Sequence, residues 1–299
     1  MKKLTDEEIL AEMKRRFIEN QRNISELKIL NEQLMDVNLK LVESEKLKSH
    51  FLSNIRNEII NPLSSILSLS QSIATCDNTS HKTICDQAKF ISDEAFNLNL
   101  QLNNIFASAE IEAGELLHEF YNVDIVGLIE TELQRFKDFA AKRQLALDFE
   151  NHLTTQDPTF TFRTNPEKIK MIISNLLVNA VCWSEGQYKV IIRAKTSENN
   201  LIIEVQDFGR GIAPENIPHI FDRFKQLDPN IYSENRGNGL GLSIVKAYIE
   251  FLEGSIEVKS ELKKGSTFIV TLPQPPEGME TEGFSTGGQE FLFGDSEIF

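Results

Sequence analysis

The first part of the chain carries apolar residues at helical spacing and contains almost no helix breakers. Between residues 27 and 55 the positions recur alternately three and four residues apart, the spacing of a coiled-coil seam, which fades at Ser44 and Lys48. Because the seam continues without a stop into the next helical segment, we favour a dimeric coiled coil over residues 1–46. One amphipathic helix packed on its own chain is the alternative. The seam consists of Leu27, Leu30, Leu34, Val37, Leu41, Ser44, Lys48, Phe51 and Ile55.

Residues 47–116 have the pattern of a helical hairpin. Pro62 lies inside the first helix and predicts a kink, because proline removes a backbone donor and clashes with the preceding turn. A turn-rich segment at 76–80 precedes a second helix over 82–113, which Gly114 stops. Paired with a second copy, two such helices close into a four-helix bundle. The apolar stripe of the second helix comprises Ile84, Ala88, Ile91, Ala95, Leu98, Leu102, Ile105 and Ala109.

After Gly114 the pattern changes to alternating strands and helices. Residues 117–273 are therefore predicted to form an α+β layer domain. The acidic tail at 274–299 contains phenylalanines and no basic residue, so it is either disordered or docked on a partner or on the rest of the chain through its aromatic side chains. The predicted strands are 145–149, 189–194, 201–206, 255–260 and 266–272, the last two joined as a hairpin, and the predicted helices are 124–143 and 166–183.

The composition limits the classes of partner that the protein is expected to bind. The 299 residues include 31 Lys and Arg against 45 Asp and Glu, a net charge of −14 that argues against nucleic acid or an anionic membrane as the main partner. No apolar run approaches the roughly 20 residues that span a bilayer, and the N-terminus lacks the apolar core of a signal peptide, so we expect a cytoplasmic protein. Cys76, Cys85 and Cys182 have no zinc or redox spacing and are expected to be reduced thiols.

Four short motifs in the α+β domain carry candidate chemistry: N-L-L-V-N-A at 175–180, D-F-G-R-G at 207–211, F-D-R-F at 221–224 and G-N-G-L-G-L at 237–242. A lone glycine motif is more often a turn than a nucleotide site. In this order and spacing, however, the four resemble the ATPase domain that histidine kinases share with gyrase-type and Hsp90-type ATPases. The ATP-binding residues implied by the resemblance are Asn175, Asn179, Asp207, Gly209, Gly211, Phe221, Phe224, Arg236, Gly237, Gly239, Leu240, Gly241, Leu242 and Thr267.

Elementary chemistry agrees with these roles. Asp207, at the end of an apolar strand, is a carboxylate that needs a donor, and an adenine amino group supplies one. Gly209 and Gly211 let the backbone approach the ring. The last glycine motif opens a helix, where backbone N–H groups favour phosphate. The Asn179 amide oxygen suits Mg²⁺. Asn175 has a second interpretation as a helix-surface amide, and Trp183 is expected to be core or pocket wall.

The segment F-L-S-N-I-R-N-E-I-I-N-P-L at 51–63 resembles the dimerisation and phosphotransfer helix of sensor histidine kinases. Asn57 stands where that family has its phosphorylated histidine. The lone pair of an asparagine amide nitrogen is delocalised into the carbonyl, so Asn57 is not expected to accept phosphate. Glu58 keeps the position of the acid that takes the histidine proton. Asn61 is either a polar residue before Pro62 or, as the resemblance implies, the amide that orients water against a regulator's aspartyl phosphate.

Several positions depart from the family pattern. Cys182 replaces a phosphate-binding lysine, a loss that Arg236 or Lys225 could offset. Arg56, Ile60 and His50 also differ around the acceptor, which favours natural divergence over an engineered His-to-Asn change. His50, seven residues before Asn57, is a poor substitute acceptor because its distance and flanking residues are wrong.

The resemblance implies an α+β fold class: a helical-hairpin dimer followed by an α/β-sandwich domain that binds Mg-ATP. The implied partners are a second copy or another histidine kinase, and the receiver domain of a response regulator. Three functions stay open. The first is that of a catalytically altered kinase, which dephosphorylates a regulator, sequesters it, or phosphorylates the histidine of a partner kinase. The second is that of a non-catalytic scaffold whose conformation is set by nucleotide. The third is that of an engineered acceptor mutant of an active kinase.

Overall fold

The computed structural model describes residues 6–75, 80–153, 160–184, 189–225 and 239–275. The chain divides into two compact units, residues 1–57 and 58–299. The elements, in chain order, are α1 (Asp6–Thr75), α2 (His81–Ala113), β1 (Tyr121–Asp124), α3 (Ile125–Ala141), β2 (Ala146–His152), β3 (Thr161–Thr164), α4 (Pro166–Trp183), β4 (Lys189–Ser197), β5 (Asn200–Gln206), a short 3₁₀ helix (Pro214–His219), α5 (Gly241–Phe251), β6 (Ser255–Glu261) and β7 (Gly265–Pro273).

The first unit is helical throughout its described residues, all of which belong to α1. Leu27, Leu30, Leu34 and Val37 of the predicted seam are each more than half exposed in the single chain. α1 continues through Pro62 to Thr75. The dimeric coiled coil remains a prediction, since a single chain does not test it.

Capping residues set both ends of α2, and the stop at Gly114 is the one that the sequence predicts. The Ser80 hydroxyl accepts the N–H of Thr83 at the start of the helix, and Gly114 ends it with the left-handed φ of 69°. Gln87 joins α2 to α1 by donating from Nε2 to the hydroxyl of Ser72 at 3.2 Å. Most of the tail and most of the predicted turn before α2 lie outside the described residues.

The second unit contains a five-stranded sheet in the order β2-β4-β5-β7-β6. β2 pairs parallel to β4, and the other neighbours are antiparallel. One sheet face is apolar: Leu201, Ile203 and Val205 of β5 are at most 1% exposed. Helices α3, α4 and α5 supply the other half of this core, in which Phe136, Ile172 and Val245 are completely buried. The mixed helix and sheet architecture predicted for this part of the chain is therefore confirmed.

Two four-residue strands, β1 and β3, form a separate antiparallel ladder that the sequence analysis did not predict. Strands this short contain too few alternating positions to show a period of two. They place Asn165 directly before α4, where its side chain caps the helix by accepting the N–H of Lys168 at 3.0 Å.

A second face of α2 packs on the α/β layer. The Phe96 ring meets the Phe136 ring edge-on with centroids 5.2 Å apart, and Ala107 and Ser108 are buried farther along the helix. The Arg135 guanidinium lies over the Phe96 ring and donates to Asn99 at 3.3 Å. This face differs from the predicted apolar stripe, and it brings α2 to the helices that carry the motifs.

Candidate functional site

Asp207 follows β5 directly and is only 5% exposed. Its Oδ1 accepts the backbone N–H groups of Gly209 at 2.9 Å and of Ser266 at 3.2 Å. Burial raises the pKa of the Asp207 carboxyl above its ordinary value, and the backbone hydrogen bonds oppose that rise. The two bonds fix this buried carboxyl between the D-F-G-R-G motif and the start of β7, where Thr267 is half-buried and lies opposite Gln206.

The glycines of this motif are required by contacts within the chain. A Cβ on Gly209 would collide with the carbonyl oxygen of Trp183. One on Gly211, which has a φ of +68°, would collide with the carbonyl of Glu261. Close packing of the motif on α4 and on the β6–β7 turn therefore explains both glycines, while the predicted approach to a base remains a prediction.

Arg210 lies between these glycines and stacks on the end of α4. The guanidinium carbon of Arg210 is 3.9 Å from the centre of the Trp183 ring, and the backbone N–H of Arg210 donates to the Trp183 carbonyl at 3.3 Å. Trp183 is 36% exposed, so it lies at the surface next to the motif and not in the core. The sequence analysis did not identify Arg210; an arginine between two required glycines was the available signal.

The phenylalanine motif and the last glycine motif meet in the backbone. The N–H of Phe224 donates to the carbonyl of Gly239 at 2.9 Å, and both residues have positive φ angles, 64° and 66°. A Cβ on Gly239 would stand 2.8 Å from the Phe224 carbonyl carbon. Phe221 is half-buried, with the ammonium of Lys246 5.8 Å from its ring centre. The structure thus brings two of the predicted motifs together.

Helix α5 begins two residues after Gly239, at Gly241. Leu240 is fully buried, and as the N-cap residue it makes no side-chain capping bond to the helix. Backbone N–H groups in a first helical turn have no partner within the helix, and the helix dipole adds positive potential there. This helix start can therefore hold an anion.

Asn175 connects three helices. It is 5% exposed, and its Nδ2 donates to Asn104 Oδ1 on α2 at 2.9 Å and to the Met171 carbonyl at 3.0 Å. Its Oδ1 lies 2.6 Å from where a Cβ on Gly241 would be. The interpretation of Asn175 as a helix-surface amide is therefore wrong. Asn179 lies one turn farther along α4 and is half-buried.

A charged cluster closes the contact between α2 and the α/β layer. Glu110 Oε1 accepts from the Lys168 ammonium at 2.7 Å, and its Oε2 accepts from the Tyr248 hydroxyl at 3.1 Å. Burial and the nearby Glu110 charge raise the pKa of Tyr248. The partners lie 58 and 138 residues apart along the chain, so no local pattern marks them.

The structure describes the other predicted residues in less detail. Arg236 and Gly237 lie outside the described residues, and for Asn57 and Glu58 the structure describes only their helical backbone within α1. Asn61 is exposed. Lys225 is exposed and pairs with Asp222 at 3.1 Å. Cys182 is half-buried, and burial raises the pKa of its thiol while the Arg143 charge lowers it.

The described residues contain no group of three or more His, Cys, Asp and Glu side chains arranged to hold a metal ion. The predicted Mg²⁺ ligand, Asn179, is an amide and so is not one of these side chains. Among the described residues, no helix combines the length and apolarity required to cross a membrane.

Comparisons with known proteins agree with the motifs. Residues 164–276 match the family described as histidine kinase-, DNA gyrase B- and HSP90-like ATPase. The sensor protein SrrB of Staphylococcus aureus strain MRSA252 is 30% identical over 231 residues, which cover 77% of this chain and 39% of that relative. SrrB of strain NCTC 8325 is 29% identical over the same length. The chain thus spans well under half of these relatives.

Solved structures share the fold. The Acinetobacter baumannii histidine kinase AdeS superposes with a TM-score of 0.51 at 21% identity, covering 74% of this chain and 98% of that one. Full-length ShkA, solved with AMPPNP, gives a TM-score of 0.53 at 23% identity and covers 74% of this chain and 45% of that one. Residues 164–276 therefore match an ATPase domain of the histidine kinase, DNA gyrase B and HSP90 type, and the chain is similar to a sensor protein over 231 residues.

Proposed function

We propose that this chain binds Mg-ATP at the site built from Asp207 and the start of α5, and that it acts in two-component signalling without phosphorylating itself at residue 57. The buried Asp207 carboxyl, held by the N–H groups of Gly209 and Ser266, carries the proposal. It is a fixed acceptor in a low-dielectric place, which suits a base that offers an amino group. ShkA, which shares the fold, was solved in complex with AMPPNP.

The other residues of the proposed site contact different parts of the nucleotide. The first turn of α5, with Gly239 and Gly241, holds the phosphates through backbone N–H groups. Asn179 offers an amide oxygen to Mg²⁺, and Arg236 and Gly237, which lie outside the described residues, stay predicted phosphate contacts. Mg²⁺, when bound, neutralises phosphate charge. The Trp183 ring, with Arg210 stacked on it, borders the base side.

Calorimetry with the full chain tests the nucleotide site. Asp207→Asn preserves the shape and an acceptor for the two N–H groups but replaces one carboxylate oxygen with a donor, so it should weaken Mg-ATP binding by about tenfold or more. Asp148→Asn is the matched control, because Asp148 is exposed on β2 and should bind like the wild type. Equal affinities for all three proteins would refute the site.

Asn57 determines which reactions remain. An amide nitrogen at this position does not attack phosphorus, since its lone pair is delocalised. The chain then acts on a response regulator, as a phosphatase or by binding it, or presents its ATP site to the histidine of a partner kinase. Dimerisation through the hairpin, as a homodimer or with another histidine kinase, supports each role: Leu63 and Leu67 of α1 and Phe90 and Phe106 of α2 are exposed apolar residues in the single chain.

One observation favours the phosphatase. Asn61 is exposed on α1 and is therefore accessible to a receiver domain. Its amide can orient a water molecule against an aspartyl phosphate, a hydrolysis that needs no phosphohistidine. Incubating a phosphorylated regulator with the wild type and with Asn61→Ala should show faster phosphate loss with the wild type. If both decay equally, the chain is not a phosphatase of this kind, and regulation by nucleotide-dependent binding becomes the better account.

A further inference from the structure

The orientation of the Asn175 amide is fixed by what surrounds it. The Met171 carbonyl can only accept, so the group 3.0 Å from it must be Nδ2. The second proton of Nδ2 goes to Asn104 Oδ1 at 2.9 Å. Both donors of the amide are therefore used, and its oxygen faces the backbone of Gly241, where a Cβ would stand 2.6 Å away. The amide separates α4 from the first residue of α5.

Asn104 reaches this amide from a different part of the chain. It lies on α2, 71 residues before Asn175. The residues that follow Asn104 on α2 hold the helix in place. Ala107 and Ser108 are buried, with exposures of 5% and 7%, and Glu110 binds both Lys168 and Tyr248. Asn104 of α2 therefore supplies an acceptor to Asn175, which lies against the start of α5, where the proposed phosphate site begins.

We infer that Asn104 is a positioning residue of the nucleotide site: by accepting from Asn175 it holds the Asn175 amide against Gly241 and so fixes the start of α5 for phosphate. The inference rests on the proposed Mg-ATP site. It makes nucleotide affinity depend on the seating of α2 on the α/β layer, which links the hairpin to the ATP site through one pair of side chains. Asn104 itself does not touch the nucleotide.

Calorimetric titration of the full chain with Mg-ATP tests this role. Asn104→Leu has a similar shape but no acceptor and should weaken binding about fivefold, the effect of one hydrogen bond. Asn104→Asp keeps the acceptor and should stay within about twofold of the wild type. Asn103→Leu is the control, since the Asn103 amide bonds Asn99 on the same helix, and should also stay within about twofold.

Thermal unfolding by circular dichroism accompanies each titration, and Asn104→Ala replaces the leucine variant if that one does not fold. Rescue by aspartate alone supports the inference, because a loss of packing would not be restored by an acceptor. Two results overturn the inference without affecting the proposed nucleotide site. One is wild-type affinity in Asn104→Leu or Asn104→Ala, and the other is equal weakening by Asn104→Asp and Asn104→Leu in folded proteins. A wild type that does not bind Mg-ATP overturns both.

Discussion

The Lys168 ammonium lies 2.7 Å from a carboxylate oxygen of Glu110, with side-chain exposures of only 10% and 33%. This ion pair joins α2, the second helix of the predicted hairpin, to α4, the helix that contains the N-L-L-V-N-A motif. A buried cation that loses its partner is strongly unfavourable, whereas an exposed pair contributes little. The stability of the α2 contact is therefore expected to depend on Glu110.

Glu110→Ala should lower the free energy of unfolding by about 2–3 kcal/mol, because it leaves both the Lys168 ammonium and the Tyr248 hydroxyl without this acceptor. Urea unfolding measures the change. Glu115→Ala, at an exposed position, should change the stability by less than about 0.5 kcal/mol. Equal stability of the two variants would contradict the role of the cluster.

The raised pKa of Asp207 predicts a pH dependence. A carboxyl whose pKa is higher in the folded than in the unfolded state favours folding when protonated, so its contribution to stability falls as the pH rises above the ordinary value of 3.8 towards the folded pKa. Asp207→Asn removes this titration. The stability of the variant relative to the wild type should therefore increase from pH 4 towards neutrality, measured by urea unfolding at each pH.

Asp148→Asn, the same substitution at an exposed position of β2, is measured alongside as the control. A constant difference between Asp207→Asn and the wild type across the series would mean that the buried carboxyl does not titrate with a raised pKa.

Gly211 and Gly114 form a matched pair for backbone strain. Both have left-handed φ angles, +68° and +69°, but a Cβ meets the Glu261 backbone at Gly211 and nothing within 4 Å at Gly114. Gly114→Ala should cost about 1 kcal/mol, the strain alone. Gly211→Ala should cost about 1–3 kcal/mol more because of the collision. Chemical denaturation compares the two, and equal costs would show that the packing of the motif on the β6–β7 turn is loose.

The contact between Gly241 and Asn175 predicts non-additivity. Gly241→Ala places a Cβ 2.6 Å from Asn175 Oδ1, so it should weaken Mg-ATP binding and lower stability by about 1–3 kcal/mol. In an Asn175→Ala background the same substitution should cost less, because the colliding amide is gone. A double-mutant cycle on the free energy of unfolding checks this, and strictly additive effects would rule out the contact.

Local patterns predicted much of this fold for clear physical reasons. Helix α4 was predicted at its observed bounds, since Pro166 at its start and the capping Asn165 precede a long apolar stretch. The ends of α2 follow from Ser80 and Gly114. Each of these signals lies within a few residues of the feature that it marks.

The missing parts depend on contacts between distant residues. Periodicity identified the apolar stripe of α2, but the polar contacts of Asn104 and Glu110 with the α/β layer leave no repeating signal. The glycines at 209 and 211 were expected to admit a ligand, whereas the structure shows that the carbonyls of Trp183 and Glu261 already require them. The motifs therefore predict a candidate site without showing which contacts fix its geometry.

We propose that the nucleotide site is competent and that Asn57 is what prevents phosphate acceptance. Incubation of the full chain with γ-labelled ATP and Mg²⁺, comparing wild type with Asn57→His, tests this most directly. We predict no label on the wild type and label on Asn57→His, because the imidazole supplies the in-plane lone pair that the amide lacks. Equal labelling of the two proteins, or an unlabelled Asn57→His protein that binds Mg-ATP, would contradict the account.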